Sequence, residues 1–368
     1  MQFTHDLLFV TPQSERTEYR RRAETEKGAV HWGSRKLLLN EIEFLSLFWK
    51  PSGPQAMPAP TVVYIGAAPG SHIDVLAQMF PELTFHLYDP REFTLAPNVP
   101  GQPSYDPAKA AIIIHTGEAG WFKDETAREW ADKSAHGQAD VIMICDIRTG
   151  DYNKFSEEEN EERVKGDMLI QQGWYKIMAP KLAQLKFRLP YPRPDGPTTF
   201  NYLSGFILKG IWSPSSSIET RLVPQGSLQV EWDLKWYEEV MANHNQRLRE
   251  GTVFANPFTN KVEPLAPPEL LTDFDSTAEA VVLAGYLKTR RQRYSAEQVA
   301  KLSGWITSEL NGWTTIHTTL SGLRELPTGK RSTVIRLSLL QSGNKAGIKV
   351  QYQKRTKGVT TKEETEEA

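Results

Sequence analysis

The chain has 368 residues and a net charge of −2; with 39% hydrophobic and 24% charged residues it can bury a sizeable core and is no polycation. No apolar run approaches the roughly twenty residues that span a bilayer, and no apolar stretch of the signal-peptide kind stands near Met1. A single cysteine, Cys145, excludes an internal disulfide framework and a cysteine-rich zinc site, and so favours a reducing compartment, cytoplasm or nucleus.

Residues 1–30 are polar and basic and read as an arm. Over residues 35–49 apolar side chains recur at helical spacing, with Leu38, Ile42, Leu45 and Trp49 on one face, and a Pro-rich link from Pro51 to Pro60 ends that helix. Thr61–Ile65 is a short β-branched run suited to a buried strand, followed at once by Gly66-Ala-Ala-Pro-Gly70. A helix over 71–80 and a strand over Thr84–Tyr88, closed by Asp89, come next. Ala111–His115 and Asp140–Cys145 read as further strands, with a helix near Thr126–Ser134 between them, and Glu157–Ile177 as a helix with acids in its first turn. Gly205–Leu208 and Thr220–Val223 have strand character, Lys235–Arg249 and Ala278–Arg290 helical character, and Thr333–Leu340 with Gly347–Gln353 a hairpin. Short apolar strands alternating with helices indicate an α/β fold with a doubly wound, mostly parallel sheet.

Charge is unevenly placed. Lys330, Arg331, Arg336, Lys345, Lys349, Lys354, Arg355 and Lys357 fall in a stretch without acids, and Lys288-Thr-Arg290-Arg291-Gln-Arg293 and Arg20-Arg21-Arg22 form two further runs. Each can track phosphates or be a solvated face.

In open α/β sheets ligands bind beyond the carboxyl ends of the strands, where strand order reverses. Tyr64-Ile-Gly66-Ala-Ala-Pro-Gly70 stands at such an end, and its small residues admit close approach of a ligand. Asp89, closing the next strand, is placed to accept hydrogen bonds from ribose hydroxyls. The spacing G-x-x-x-G is not the pyrophosphate-binding G-x-G-x-x-G, and Pro69 withholds an N–H that a phosphate would want. The pattern therefore points to a nucleoside-bearing cofactor without a phosphate to cradle, such as S-adenosylmethionine. His72 has no second His or carboxylate at ligand spacing, so no metal site is expected.

Five separated motifs occur in order: Arg35-Lys-Leu-Leu-Leu, Tyr64-Ile-Gly-Ala-Ala-Pro-Gly, Cys145-Asp-Ile-Arg, Leu185-Lys-Phe-Arg-Leu-Pro-Tyr-Pro and Ser215-Ser-Ser-Ile-Glu-Thr-Arg-Leu. Together, over about residues 30 to 310, they closely resemble the poxvirus cap-specific mRNA 2′-O-methyltransferase family, whose members also serve as the poly(A) polymerase processivity subunit. The resemblance implies a Rossmann-like, class I S-adenosylmethionine-dependent methyltransferase fold over 31–320, preceded by the arm of 1–30 and followed by a basic extension over 321–368. It implies S-adenosylmethionine as cofactor, capped mRNA as substrate, and a poly(A) polymerase catalytic subunit as a further partner.

RNA ribose 2′-O-methyltransferases share a Lys-Asp-Lys-Glu tetrad, which by this resemblance is Lys36, Asp146, Lys186 and Glu219. Tyr64, Gly66, Ala68, Gly70, His72, Asp89, Arg91 and Ile147 would line the methyl-donor site, and Arg148 would hold substrate. Where the family has a glutamine before the first lysine, this chain has Ser34. The chemistry suits these residue types: lysine, with an ordinary pKa of about 10.4, becomes a base when desolvated beside another cation. Lys186 is the expected base, with Lys36 supplying the neighbouring charge.

For the cap, an N7-methylated guanine carries positive charge and binds best between aromatic faces with carboxylates at its edge. By resemblance Tyr191 in Pro-Tyr-Pro supplies one face and Tyr19 the other, with Asp233 and Asp195 at the edge; Arg193-Pro194 separates Asp195 from the place where the family has its acid. Two other readings share parts of this pattern: an FtsJ-like ribosomal or transfer RNA 2′-O-methyltransferase, and a processivity subunit without catalysis.

Overall fold

The computed structural model describes residues 7–20, 33–50, 60–151, 153–214, 217–249, 252, 254–261, 273–292 and 295–311, together with the backbone of 333–342 and 345–354. Its centre is an eight-stranded sheet in the order β1-β7-β8-β6-β5-β2-β3-β4. These strands are β1 (Phe9–Val10), β2 (Pro60–Ile65), β3 (Thr84–Tyr88), β4 (Ala111–His115), β5 (Asp140–Cys145), β6 (Leu182–Phe187), β7 (Thr199–Leu208) and β8 (Thr220–Asp233). Strands β4, β3, β2, β5 and β6 run parallel, and β8, β7 and β1 add antiparallel pairs at the other side. Strand order reverses between β2 and β5, the switch point at which such sheets bind ligands. This is a Rossmann-like, doubly wound α/β architecture.

Helices cover both faces: α1 (Gly33–Phe48), α2 (Ile73–Met79), α3 (Asp124–Ala135), α4 (Glu157–Met178), α5 (Leu234–Asn243), α6 (Phe274–Thr289) and α7 (Ala296–Asn311). A strand covered on both sides needs apolar residues at every position. In β2, Val62 and Tyr64 join the cluster beneath α1, α2, α6 and α7, while Val63 and Ile65 join the one beneath α3, α4 and α5. The apolar face read from residues 35–49 is buried, with Leu38, Ile42 and Leu45 fully so, each contributing on the order of 2 kcal/mol of transfer free energy. The acids at the start of α4 form a capping box, in which Ser156 Oγ accepts from Glu159 N–H and Glu159 accepts from Ser156 N–H.

Several elements depart from the sequence reading. β7 and β8 are longer, extending as a two-stranded ribbon to Thr199 and Asp233, and the helix expected over Lys235–Arg249 runs through a π turn at His244–Leu248. Part of the expected arm is built into the sheet: β1 pairs with β7, and Leu7, Leu8 and Val10 are buried. The link at 51–59 lies outside the described residues. The hairpin near the C-terminus is present as β9 (Thr333–Ser342) with β10 (Lys345–Lys354). Among the described residues no helix is long and apolar enough to cross a membrane.

Candidate active site

Gly66 ends β2 with φ +79° and Gly70 follows with φ +71°, a region that disfavours any Cβ. A Cβ on Gly66 would stand 2.9 Å from the Ile147 nitrogen, so the loop after β2 and the end of β5 close on each other at the switch point. Asp89 is buried at the end of β3 and accepts from Ala68 N–H (3.2 Å), Arg91 N–H (3.0 Å) and the Arg91 guanidinium (3.0 and 2.8 Å). Burial works against its charge, but these hydrogen bonds outweigh it and hold the carboxyl below its ordinary range. The Arg91 side chain itself is 68% exposed. Ser34, at the start of α1, lies 3.1 Å from Ser71 of the loop.

Tyr64 and His72, expected to line the donor site, are both buried beneath this loop. Tyr64 donates to Glu41 Oε1 at 2.6 Å, and His72 Nε2 lies 3.0 Å from the same oxygen. Burial, followed by the charge of Glu41, pushes the Tyr64 phenol well above its usual value. Their side chains brace the loop from below, while Gly66 and Ile147 are partly exposed and Arg91 exposed beside it. Glu41 has no counterpart in the sequence reading; its position on the buried face of α1 was legible only as helix core.

The four tetrad residues converge. Lys36 comes from the first turn of α1, Asp146 follows β5, Lys186 sits on β6 and Glu219 immediately precedes β8. Lys36 Nζ donates to Glu219 Oε1 at 2.8 Å. Lys186 Nζ lies 3.1 Å from Asp146 Oδ1, 3.4 Å from the Asp146 carbonyl and 3.7 Å from Glu219 Oε2. A fifth residue completes the centre: Arg221 is buried and forks between Asp146 Oδ1 (2.7 Å) and Glu219 Oε1 (3.0 Å). It was missed from sequence, although residues two apart on a strand share a face and Glu219-Thr-Arg221 is such a pair. In the β6–β8 ladder Arg221 stands directly opposite Lys186. Arg148 adds a contact of 3.3 Å to Glu219 and lies 3.8 Å from Asp167, which also accepts from Thr149.

Two carboxylates thus meet a larger set of cations in a nearly dry site. Burial disfavours charge on Asp146 and Glu219, but Lys186 and the other cations more than offset it, so both acids are held below their ordinary range, Glu219 far below. Lys36 moves the opposite way: burial, reinforced by Arg221 and Lys186, lowers its pKa despite the attraction of Glu219 and Asp146.

The residues assigned to the cap are less closely assembled. Tyr191 borders a small cleft with Pro190, Arg193, Pro197, Leu234, Glu161 and Lys165. Its N–H donates to Glu161 (3.0 Å), and the Arg188 guanidinium, paired to Glu161 at 2.5 and 3.0 Å, lies 4.4 Å from its ring centroid. Asp233 caps α5 by accepting from Trp236 N–H at 2.9 Å, and its neighbour Leu234 reaches the Tyr191 cleft. Asp195 is exposed on the loop before β7. Tyr19 is 44% exposed, but its segment is pinned elsewhere: Thr17 bonds Glu239 and Asn243, and Gln246 reaches the Arg20 carbonyl. These anchors lie six or more residues along the chain from Asp233, about 9 Å or more on the axis of α5. Among the contacts described no ring contact joins Tyr19 to Tyr191. Of the basic runs, Arg290 is engaged with Glu82 and lies 4.7 Å from the Phe80 ring centroid, whereas Lys288 and Arg291 carry no such pairing among the contacts described. Arg21, Arg22, Arg293 and the side chains of the C-terminal basic stretch lie outside the described residues.

Residues 2–266 match the family model described as "Poly A polymerase regulatory subunit". The chain is 25% identical over 245 residues to the cap-specific mRNA (nucleoside-2′-O-)-methyltransferase of Myxoma virus (strain Lausanne), covering 65% of this chain and 68% of that one. The Fowlpox virus (strain NVSL) protein of the same name is 30% identical over 161 residues, covering 44% and 47% respectively. The matched residues include every member of the tetrad.

Proposed function

The chain belongs to the poly(A) polymerase regulatory subunit family, and from that premise we propose that it methylates the ribose 2′-hydroxyl of a cap-proximal mRNA nucleotide, with S-adenosylmethionine as donor. The observation that carries this reading is the interlocked Lys36–Glu219–Arg221–Asp146–Lys186 centre beside the glycine loop. Pro69 removes the N–H a phosphate would require, and Gly66 and Gly70, at positive φ with no space for a Cβ against Ile147 and Leu95, let the loop turn tightly at the switch point, so the loop fits this donor. Asp89 would accept the donor's ribose hydroxyls; its oxygens now accept from the Arg91 guanidinium, which also bonds the Ala68 carbonyl and is largely exposed. When bound, the donor supplies a methyl group on a sulfonium, so the acceptor hydroxyl needs alignment and loss of its proton.

Lys186 receives that proton. The family motif assigns it this role, and Arg221, directly opposite in the β6–β8 ladder, supplies a neighbouring cation, while Lys36 is held on Glu219. Arg221 fixes the spacing of Asp146 and Glu219 so that neither is left as an unpaired buried charge. Tyr191 and Asp233 meet the cap guanine at the cleft by α5. The relatives are named as cap-specific enzymes, which favours the cap over a structured ribosomal or transfer RNA. The family's description also supports a poly(A) polymerase catalytic subunit as partner. The test is methyl transfer to three RNAs of one sequence: N7-methyl-capped, capped without the N7-methyl, and uncapped. The first is expected to be strongly preferred; equal transfer to all three overturns the cap assignment.

A further inference from the structure

Lys36 and Glu219 form an ion pair across 183 residues of sequence, so two separate segments must be held in register for it to exist. Lys36 follows Arg35 at the start of α1. Glu219 ends the loop that leaves β7 and enters β8. Both segments lead to the same buried carboxylate. Arg35, 3% exposed, donates to Glu279 Oε2 at 2.9 Å and to Oε1 at 2.5 Å, and its guanidinium also bonds Ser303 and Thr307. From the loop side, Trp212 Nε1 donates to Glu279 Oε2 at 2.7 Å, and Trp212 N–H donates to Asp275 one turn earlier on α6. Trp212 is held at φ +56°, a conformation costly for a bulky residue and retained only where its surroundings fix it. Other described residues of the loop are tied down as well: Arg249 bonds the Ser213 and Pro214 carbonyls, Asn245 the Ser217 carbonyl, and Tyr237 the Ile218 carbonyl.

We infer that Glu279 is a positioning residue for methyl transfer, the hub that sets Lys36 and Glu219 in register through Arg35 and Trp212. Glu279 touches neither the tetrad nor the donor loop among the contacts described. It lies on α6, and Ser303, which donates to it, and Thr307, which accepts from Arg35, lie on α7, both helices C-terminal to the residues that match the family model. The C-terminal helices thus do more than cover the sheet: they brace both ends of one catalytic ion pair. A carboxylate suits this place because one planar group can accept from a guanidinium fork and an indole N–H together.

The inference rests on the methyltransferase reading, and the experiment separates the two. Wild-type full-length protein, Glu279→Gln and Trp212→Phe are compared for donor binding by titration and for kcat and KM with N7-methyl-capped RNA. Glu279→Gln is expected to lower kcat per donor-binding site by about tenfold or more, because small misplacements of catalytic groups are costly, with donor Kd within about twofold. Trp212→Phe, which leaves the Arg35 ion pair intact, is expected to lower kcat about threefold with the same unchanged donor Kd. A buried ion pair that loses one partner can unfold a protein, and if Glu279→Gln fails to bind donor then Trp212→Phe decides. Variants that bind donor fully and turn over at the wild-type kcat overturn the hub. Wild-type protein without transfer to capped RNA instead overturns the reading on which it rests.

Discussion

The tetrad and the Tyr191 cleft lie in the same half of the molecule and are built on opposite plans. In the tetrad every charged atom has a partner of opposite sign, and the side chains come from one helix turn and three strand ends whose backbones are fixed by the sheet. At the cleft the side chains come from a loop, a helix cap and a distant arm, and each is already engaged locally. Tyr191 lies under Arg188, Asp233 caps α5, and Tyr19 hangs from the far end of that helix. The difference teaches where rigidity is needed. Proton removal from a hydroxyl tolerates little error in placement, so its groups are locked before substrate arrives. Recognition of a cationic base can draw on binding energy to rearrange loops, and surfaces of that kind commonly reorder on binding.

The sharpest way to break this contrast is at its rigid end. Lys186→Ala is expected to lower the rate of methyl transfer by at least about a hundredfold, the usual scale for loss of a positioned general base, with donor affinity within a few-fold. Stopped transfer with intact donor binding by titration supports the assignment; lost donor binding with unchanged turnover per bound donor sinks it. Asp89→Ala should do the reverse. Losing hydrogen bonds to a charged acceptor costs about 1.5–3 kcal/mol, which is roughly tenfold or more in donor KM, while kcat at saturating donor stays near wild type. An unchanged KM would mean that Asp89 only anchors Arg91 and Ala68.

The same contrast explains what could be read from the chain without coordinates. The parallel strands were legible because a strand buried on both faces is written as an unbroken apolar run, as in Thr61–Ile65 and Asp140–Cys145. β6 was not, since Gln184 and Lys186 interrupt its apolar residues; Gln184 is buried all the same, donating to the Asn40 carbonyl. Of the proposed reaction centre the tetrad was legible through the family motifs, and Arg221 was missed because an arginine among strand residues carries no mark of the two carboxylates it joins. Glu279 was illegible altogether. Its role depends on contacts to residues 244 and 67 positions away, and local pattern holds no information about such pairs. At the cleft motif order supplied Tyr19 and Tyr191 as a clamp, and among the contacts described each is engaged locally with no ring contact between them.

At the adaptable end effects are smaller. A methylated guanine over a desolvated aromatic ring gains on the order of 2 kcal/mol, so Tyr191→Ala is expected to reduce transfer to N7-methyl-capped RNA by about tenfold, with little change on uncapped RNA. Arg188 sets the condition for this result, since its guanidinium stands at the Tyr191 ring and a guanine must share or displace it. Equal losses on capped and uncapped RNA would show that Tyr191 supports the loop and not the cap.

The smallest effect is also the cleanest to separate, because Asp233 has one established local role and one proposed. As the cap of α5 it accepts a hydrogen bond from Trp236 N–H, and asparagine fills that role nearly as well as aspartate. As the carboxylate at the guanine edge it contributes a charged acceptor that asparagine lacks. Asp233→Asn is therefore expected to leave the melting temperature close to wild type while lowering the preference for N7-methyl-capped over unmethylated-capped RNA by a few-fold. Asp233→Ala should lose that preference to the same extent and also about 1 kcal/mol of stability, the usual cost of a lost helix cap. Thermal melts and paired kcat/KM values on the two capped RNAs distinguish the outcomes. If the Asp233→Asn variant retains the full preference and only Asp233→Ala is impaired, in stability and activity together, Asp233 serves α5 alone. The guanine edge must then be read by another residue of the cleft, with Glu161, already at the Tyr191 backbone, first in place.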